Sequence, residues 1–147
     1  MDVTPPTEAI VSDNFVNAGD TVDISFSGAT QPSVGNDITG YAVQYSTSVD
    51  GGESWSAWAD EGTYPLPATS GSVTVSTGAP NEVRKYRIRT NGTISNSAWA
   101  SVYGTVATAT DPVIDDAYYD LNGLQARVYV DVSASPYGSN LYIYCNE

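Results

Sequence analysis

Ten residues, Val83–Gly92, with the sequence VRKYRIRTNG, constrain the fold more than any other stretch of this chain. Tyr86, Ile88 and Thr90 lie two apart, so an extended backbone puts them on one side. Lys85, Arg87 and Arg89 then fall on the other. A strand with one apolar and one charged face belongs to a sheet that covers a core. The Asn91-Gly92 pair that follows reads as a turn, because both residues tolerate positive φ. Four of the chain's five basic residues, counting Arg84, sit in this one segment.

The same alternation recurs along the chain. In residues 21–27, Val22, Ile24 and Phe26 alternate with polar neighbours. In residues 38–48, Tyr41, Val43 and Tyr45 share a face, and in residues 72–77 Val73 and Val75 point inward. Weaker strands are read at residues 10–16, 55–59 and 99–107. Turns are read at Ala18-Gly19-Asp20, Asp50-Gly51-Gly52-Glu53 and Gly78-Ala79-Pro80-Asn81. Residues 1–9, with Pro5-Pro6, suit an extended lead-in, and residues 60–71 an irregular edge or loop. No segment repeats apolar residues at helical spacing. Seven strands within about 100 residues fit an antiparallel Greek-key β-sandwich, and 147 residues leave a remainder beyond one such core.

Charge narrows the partners. The net charge is −12, which disfavours nucleic acid and anionic lipid surfaces, both of which are met mainly by cations. It also keeps a β-rich chain soluble. No apolar run is long enough to span a membrane, and the chain does not open on a signal-peptide pattern. The single cysteine, Cys145, cannot form an internal disulfide.

Four phrases, VDISFSG, ITGYAVQYS, SVTVS and VRKYRIRTNGTISNSAWAS, together resemble a fibronectin type III domain. The resemblance implies that Tyr86 makes the family's tyrosine corner and that Tyr41, Val43 and Tyr45 match its Y-x-V-x-Y strand. The sequence departs at Phe26, where the family usually carries a core tryptophan. The longer phrases ITGYAVQYSTSVDGGESWSAW and EVRKYRIRTNGTISNSAWASVYG are similar to fibronectin-like modules of tail, appendage and other structural proteins of phages and prophages of Gram-positive bacteria. The match covers roughly residues 8–108.

Past residue 110 a second pattern begins. After Asp111-Pro112, Leu124, Ala126, Val128, Val130 and Val132 alternate with polar residues. Ser135-Pro136-Tyr137-Gly138 reads as a turn, and Leu141, Ile143 and Cys145 alternate again. We therefore divide the chain into a fibronectin type III-like sandwich, residues 1–110, and a partial second β unit, residues 111–147. That unit is the opening of a truncated domain, an added layer, or a segment completed by strands from another copy.

Catalysis is not expected. With no histidine, neither a Ser-His triad nor a His-rich metal centre can form. Cys145 falls on the inward phase of its strand, and the carboxylates are scattered over turns. Asp111, Asp115, Asp116 and Asp120 gather near the junction, where they read as a solvated acidic linker rather than a calcium site. No cofactor or metal is expected. The Asn91-Gly92-Thr93 sequon carries little weight in a bacterial or phage setting. Candidate interface residues are Lys85, Arg87 and Arg89, a cationic stripe on an acidic chain, and the outward tyrosines Tyr129, Tyr142 and Tyr144. Trp55 and Trp58 read as cross-strand packing. Charge reversal at Arg87 and Arg89 is expected to weaken assembly and leave thermal stability nearly unchanged.

The reading is a non-enzymatic structural or adhesion module of a virion that contacts other virion proteins or copies of itself. The alternative is a carbohydrate-binding or spacer module of a secreted bacterial surface protein, with a host glycan as ligand.

Overall fold

The computed structural model describes residues 2–32 and 34–109, and the backbone of two further strands. The strands are β1 (Glu8–Val11), β2 (Phe15–Asn17), β3 (Thr21–Ser27), β4 (Ile38–Ser48), β5 (Ala59–Tyr64), β6 (Gly71–Ser76), β7 (Val83–Gly92), β8 (Ala100–Ala109), β9 (Val113–Asp120) and β10 (Gln125–Asp131). One layer is β1-β3-β6 and the other β5-β4-β7-β8. A bridge between β1 and β8 joins the layers into one ribbon.

The alternation explains the packing. Val22, Ile24 and Phe26 of β3 and Val73 and Val75 of β6 meet Tyr41 and Val43 of β4, Tyr86 and Ile88 of β7, and Val102 and Val106 of β8. All are buried, and Tyr86 is 1% exposed. Phe26 sits against the Tyr41 ring with centroids 4.2 Å apart, so Phe26 and Tyr41 together fill the centre of the sandwich. Each such side chain contributes about 1.5–3 kcal/mol on burial.

Most pairings are antiparallel, but β1 and β2 both run parallel to β8. The expected single strand over residues 10–16 is therefore two. β1 pairs with β3 in one layer, the chain crosses, and β2 pairs with β8 in the other. Asn14 fixes the crossing: its amide donates to Thr105 O at 2.8 Å, and its carbonyl accepts from Ala107 N at 2.9 Å.

Three further expectations are corrected. The stretch expected as a lead-in is no linker over residues 2–9: Val3 is buried in the core. Thr4 N donates to Thr30 O at 3.1 Å, and the buried Thr90 hydroxyl donates to Thr4 O at 2.8 Å. The strand expected at residues 55–59 is displaced: residues 55–58 lie beside β4 without forming a strand, and the edge strand is β5, which begins at Ala59 and runs into the stretch read as an irregular edge or loop. Its pairing with β4 shifts register between Val43 and Gln44, which tolerates the irregular sequence. Third, Asn91-Gly92 stays in β7, with Gly92 paired to Ile38. Gly92 is needed for space rather than for φ: an added Cβ would lie 2.2 Å from Asn36 Oδ1 and 2.5 Å from Ser95 O. Buried Asn36 uses that space to bond Ser95 O, Ser95 Oγ and the amides of Ile94 and Ser95.

β9 and β10 form their own antiparallel pair, from Gln125↔Asp120 to Asp131↔Val113. The alternating stretch after residue 124 thus finds a partner in the preceding segment of the same chain.

Candidate functional site

The cationic stripe is set by β7. Residues two apart on a strand are separated by about 7 Å, the thickness of two van der Waals layers of about 3.5 Å. One flat ring therefore fits between successive cations, and the sequence supplies three. Lys85 Nζ lies 4.2 Å from the Trp55 ring centre and 5.5 Å from that of Trp58. The Arg87 guanidinium lies 4.5 Å from Trp58 and 4.7 Å from Trp99. Arg89 lies 4.7 Å from the centre of the same Trp99 ring. The result is one alternating stack: Trp55, Lys85, Trp58, Arg87, Trp99, Arg89.

Two segments bring the rings to β7. The first follows the β4 hairpin, where Gly51 and Gly52 adopt positive φ. The Asp50 carboxylate there accepts from Ser48 Oγ and from Ser54 N and Oγ. Those bonds hold it well below the usual carboxylate range. Ser56 N then donates to Thr47 O at 2.9 Å, which lays residues 55–58 along β4. Trp55 Nε1 is anchored to Gly52 O at 3.0 Å. The second segment leads into β8, where Ser97 N donates to Thr90 O at 2.9 Å and seats Trp99 over β7.

A row of polar groups crosses the same face. Arg87 donates Nε and Nη2 to Gln44 Oε1, at 2.8 and 2.5 Å. Gln44 Nε2 donates to Asp60 Oδ1 at 2.6 Å. The three residues are in register across β7, β4 and β5. Arg87 thus reaches a carboxylate through an amide. Lys85, Arg87 and Arg89 are half-buried, and each cation–ring contact in such a setting is worth about 0.5–2 kcal/mol.

Arg84, on the inward phase of β7, belongs to a second cluster. It lies 4.0 Å over the Tyr45 ring and 3.8 Å from Glu61. Glu61 Oε1 accepts from both N and Oγ of Ser76, each at 2.7 Å. Tyr86 OH donates to Ser76 O at 2.8 Å, ten residues upstream, which is the geometry of a tyrosine corner. Burial pushes the Tyr86 phenol up to about 12. Glu61 of β5 and Ser76 of β6 thereby tie together the outer strands of the two layers.

Of the residues singled out in the sequence, Lys85, Arg87 and Arg89 come together on one face with three tryptophans. The sequence reading did not link these two sets. The signal was present: three cations at alternate positions, a Trp-x-x-Trp pair, and a third tryptophan before β8. Tyr129 lies on β10 opposite Asp116. Tyr142, Tyr144, Cys145 and Asp111 lie outside the described residues. Asp115, Asp116 and Asp120 are placed on β9 by their backbone alone.

No family model matches the sequence, and no curated protein matches it. Among solved structures, the twitchin kinase region from C. elegans, described as Fn31-NL-kin-CRD-Ig26, aligns with a TM-score of 0.57 at 13% identity. The alignment covers 79% of this chain and 19% of that one. At that identity the likeness bears on fold alone. The chain is an all-β sandwich of the fibronectin type III and immunoglobulin-like kind.

Proposed function

We propose that the protein is a non-enzymatic structural module of a phage particle, carried on a tail, appendage or capsid surface and acting through contacts with other virion proteins or with copies of itself. The observation that carries this reading is the stack on β7. The cations and large aromatics that would otherwise form a reactive or ligand-gripping site are spent on fixing the module's own outer face. A face held this way is a stiff platform, and stiffness lowers the entropy lost when a partner docks. The Glu61–Ser76 tie supports the same reading, because it occupies the Ser76 amide on the end strand β6, a group that would otherwise be open to strand pairing. The particle setting is supported by the sequence resemblance to fibronectin-like modules of phage structural proteins.

The test is protein mass spectrometry of particles purified from a strain that carries the gene. The reading predicts peptides of this chain in the particle fraction, in constant ratio to the other structural proteins across preparations. Peptides found only in the particle-free supernatant would overturn it.

A further inference from the structure

Beside the stack, β8 departs from regular pairing. Lys85 is opposite Thr105 and Arg87 opposite Ser101, so Val102, Tyr103 and Gly104 together face the single residue Tyr86. Such a bulge re-aims a side chain. Here it turns Tyr103 away from β7 and pairs it with Ile10 of β1. Gly104 makes the bulge possible, with φ +91°; an added Cβ there would lie 2.8 Å from Val11 Cγ2 and 2.9 Å from Asn14 Nδ2.

The bulge leaves Tyr103 77% exposed and Ile10 50% exposed, side by side. The other described tyrosines are occupied. Tyr41 and Tyr86 donate their hydroxyls to Ala68 O and Ser76 O, and Tyr45 and Tyr64 pack on the core. The Tyr103 ring stands between two shallow hollows, of about 400 Å³ on the Ile10 side and about 640 Å³ on the Lys85 side. Polar groups rim both. Ser101 borders each hollow, Glu8 the first, and Thr105 and Lys85 the second.

We infer that this seam binds a neutral glycan, with a sugar ring stacked on Tyr103 and Ile10 and its hydroxyls bonded to Ser101, Glu8 and Thr105. The size of the patch selects this occupant. A stable protein interface buries about 800 Å² per partner. One tyrosine supplies about 150–250 Å², and the half-exposed isoleucine less. That area matches one or two sugar rings. Charge agrees, since a net −12 repels a polyanion but leaves a neutral sugar untouched. Hollows of this size lie within the range that holds small ligands. The inference goes beyond the structural role and does not depend on it, because a particle can contain the protein whether or not this seam takes sugar.

The experiment is an amide NMR titration of the full chain with N,N′-diacetylchitobiose, cellobiose and maltose at roughly millimolar concentrations. Binding of at least one disaccharide is expected to shift the amides of residues 8–11 and 101–105. Y103A is expected to weaken it by about tenfold or more, while Y103F, which keeps the ring, retains most of it. Unchanged shifts elsewhere in Y103A serve as the control for folding. Absence of shifts in these strands with all three sugars would overturn the inference. So would binding that survives Y103A, or loss of the seam's signals through self-association alone.

Discussion

Replacing Tyr86 by phenylalanine removes one oxygen, and the structure says what that oxygen does. Its bond to Ser76 O would be lost, and the contact that Arg84 Nη1 makes to the same carbonyl is longer, at 3.4 Å. A loss of about 1–2 kcal/mol is expected in denaturant unfolding, and an unchanged midpoint would contradict the corner. The same phenol makes stability depend on alkali. Its folded pKa is about 12 against the ordinary tyrosine value of 10.0, so the folded state holds its proton longer than the unfolded chain. The contribution is complete below pH 10 and is lost as pH rises through about 12, a fall of about 2–3 kcal/mol. Burial raises Tyr41 and Tyr64 in the same direction, so Y86F should flatten the alkaline limb without abolishing it. Gly92→Ala tests a different cause: a methyl group against Asn36 Oδ1 should cost about 1–3 kcal/mol, although Gly92 has an ordinary backbone conformation. The burial of Tyr86 was legible from alternation alone. The role of Gly92 was not, because Asn36 lies far from it in sequence, and a close approach leaves no local mark to set against the turn that Asn-Gly suggests.

At the scale of elements, the stack changes what the stripe on β7 means. Sequence places Lys85, Arg87 and Arg89 on one outward face, and the structure fills the gaps between them with indoles from residues 55–58 and from Trp99. Charge reversal at Arg87 or Arg89 is now expected to lower thermal stability as well as any assembly, because a carboxylate would face the π-clouds of the rings. A double-mutant cycle between Arg87 and Trp99 should give a coupling of about 0.5–1 kcal/mol; additivity would mean that the rings merely cover the strand. Strand positions were legible where one face alternates, as in β3, β4 and β7. The division of residues 10–16 into β1 and β2 was not. It depends on parallel pairing with β8, a partner some ninety residues away, and on the bulge at residues 102–104.

For the whole molecule, the fold class followed from seven alternating segments and their turns, and the structural comparison supports the same class. What sequence could not supply was closure: the bridge from β1 to β8 on one side, and the tie from Glu61 to Ser76 on the other. Both join residues far apart in the chain. Net charge acts at this scale too. With seventeen acidic and five basic residues, self-repulsion opposes compaction. The melting temperature should therefore rise between about 0.01 M and 0.15 M salt as the Debye length shrinks; a fall would mean that exposed ion pairs dominate.

The stack itself is most directly tested by the side-chain Nε–H resonances of the arginines. Ring currents from Trp58 and Trp99 should move those of Arg87 and Arg89 well upfield of a solvated arginine, and the bond to Gln44 should slow solvent exchange at Arg87. Resonances at solvated positions with rapid exchange at both residues would contradict the stack, and with it the rigid outer face on which the proposed role rests.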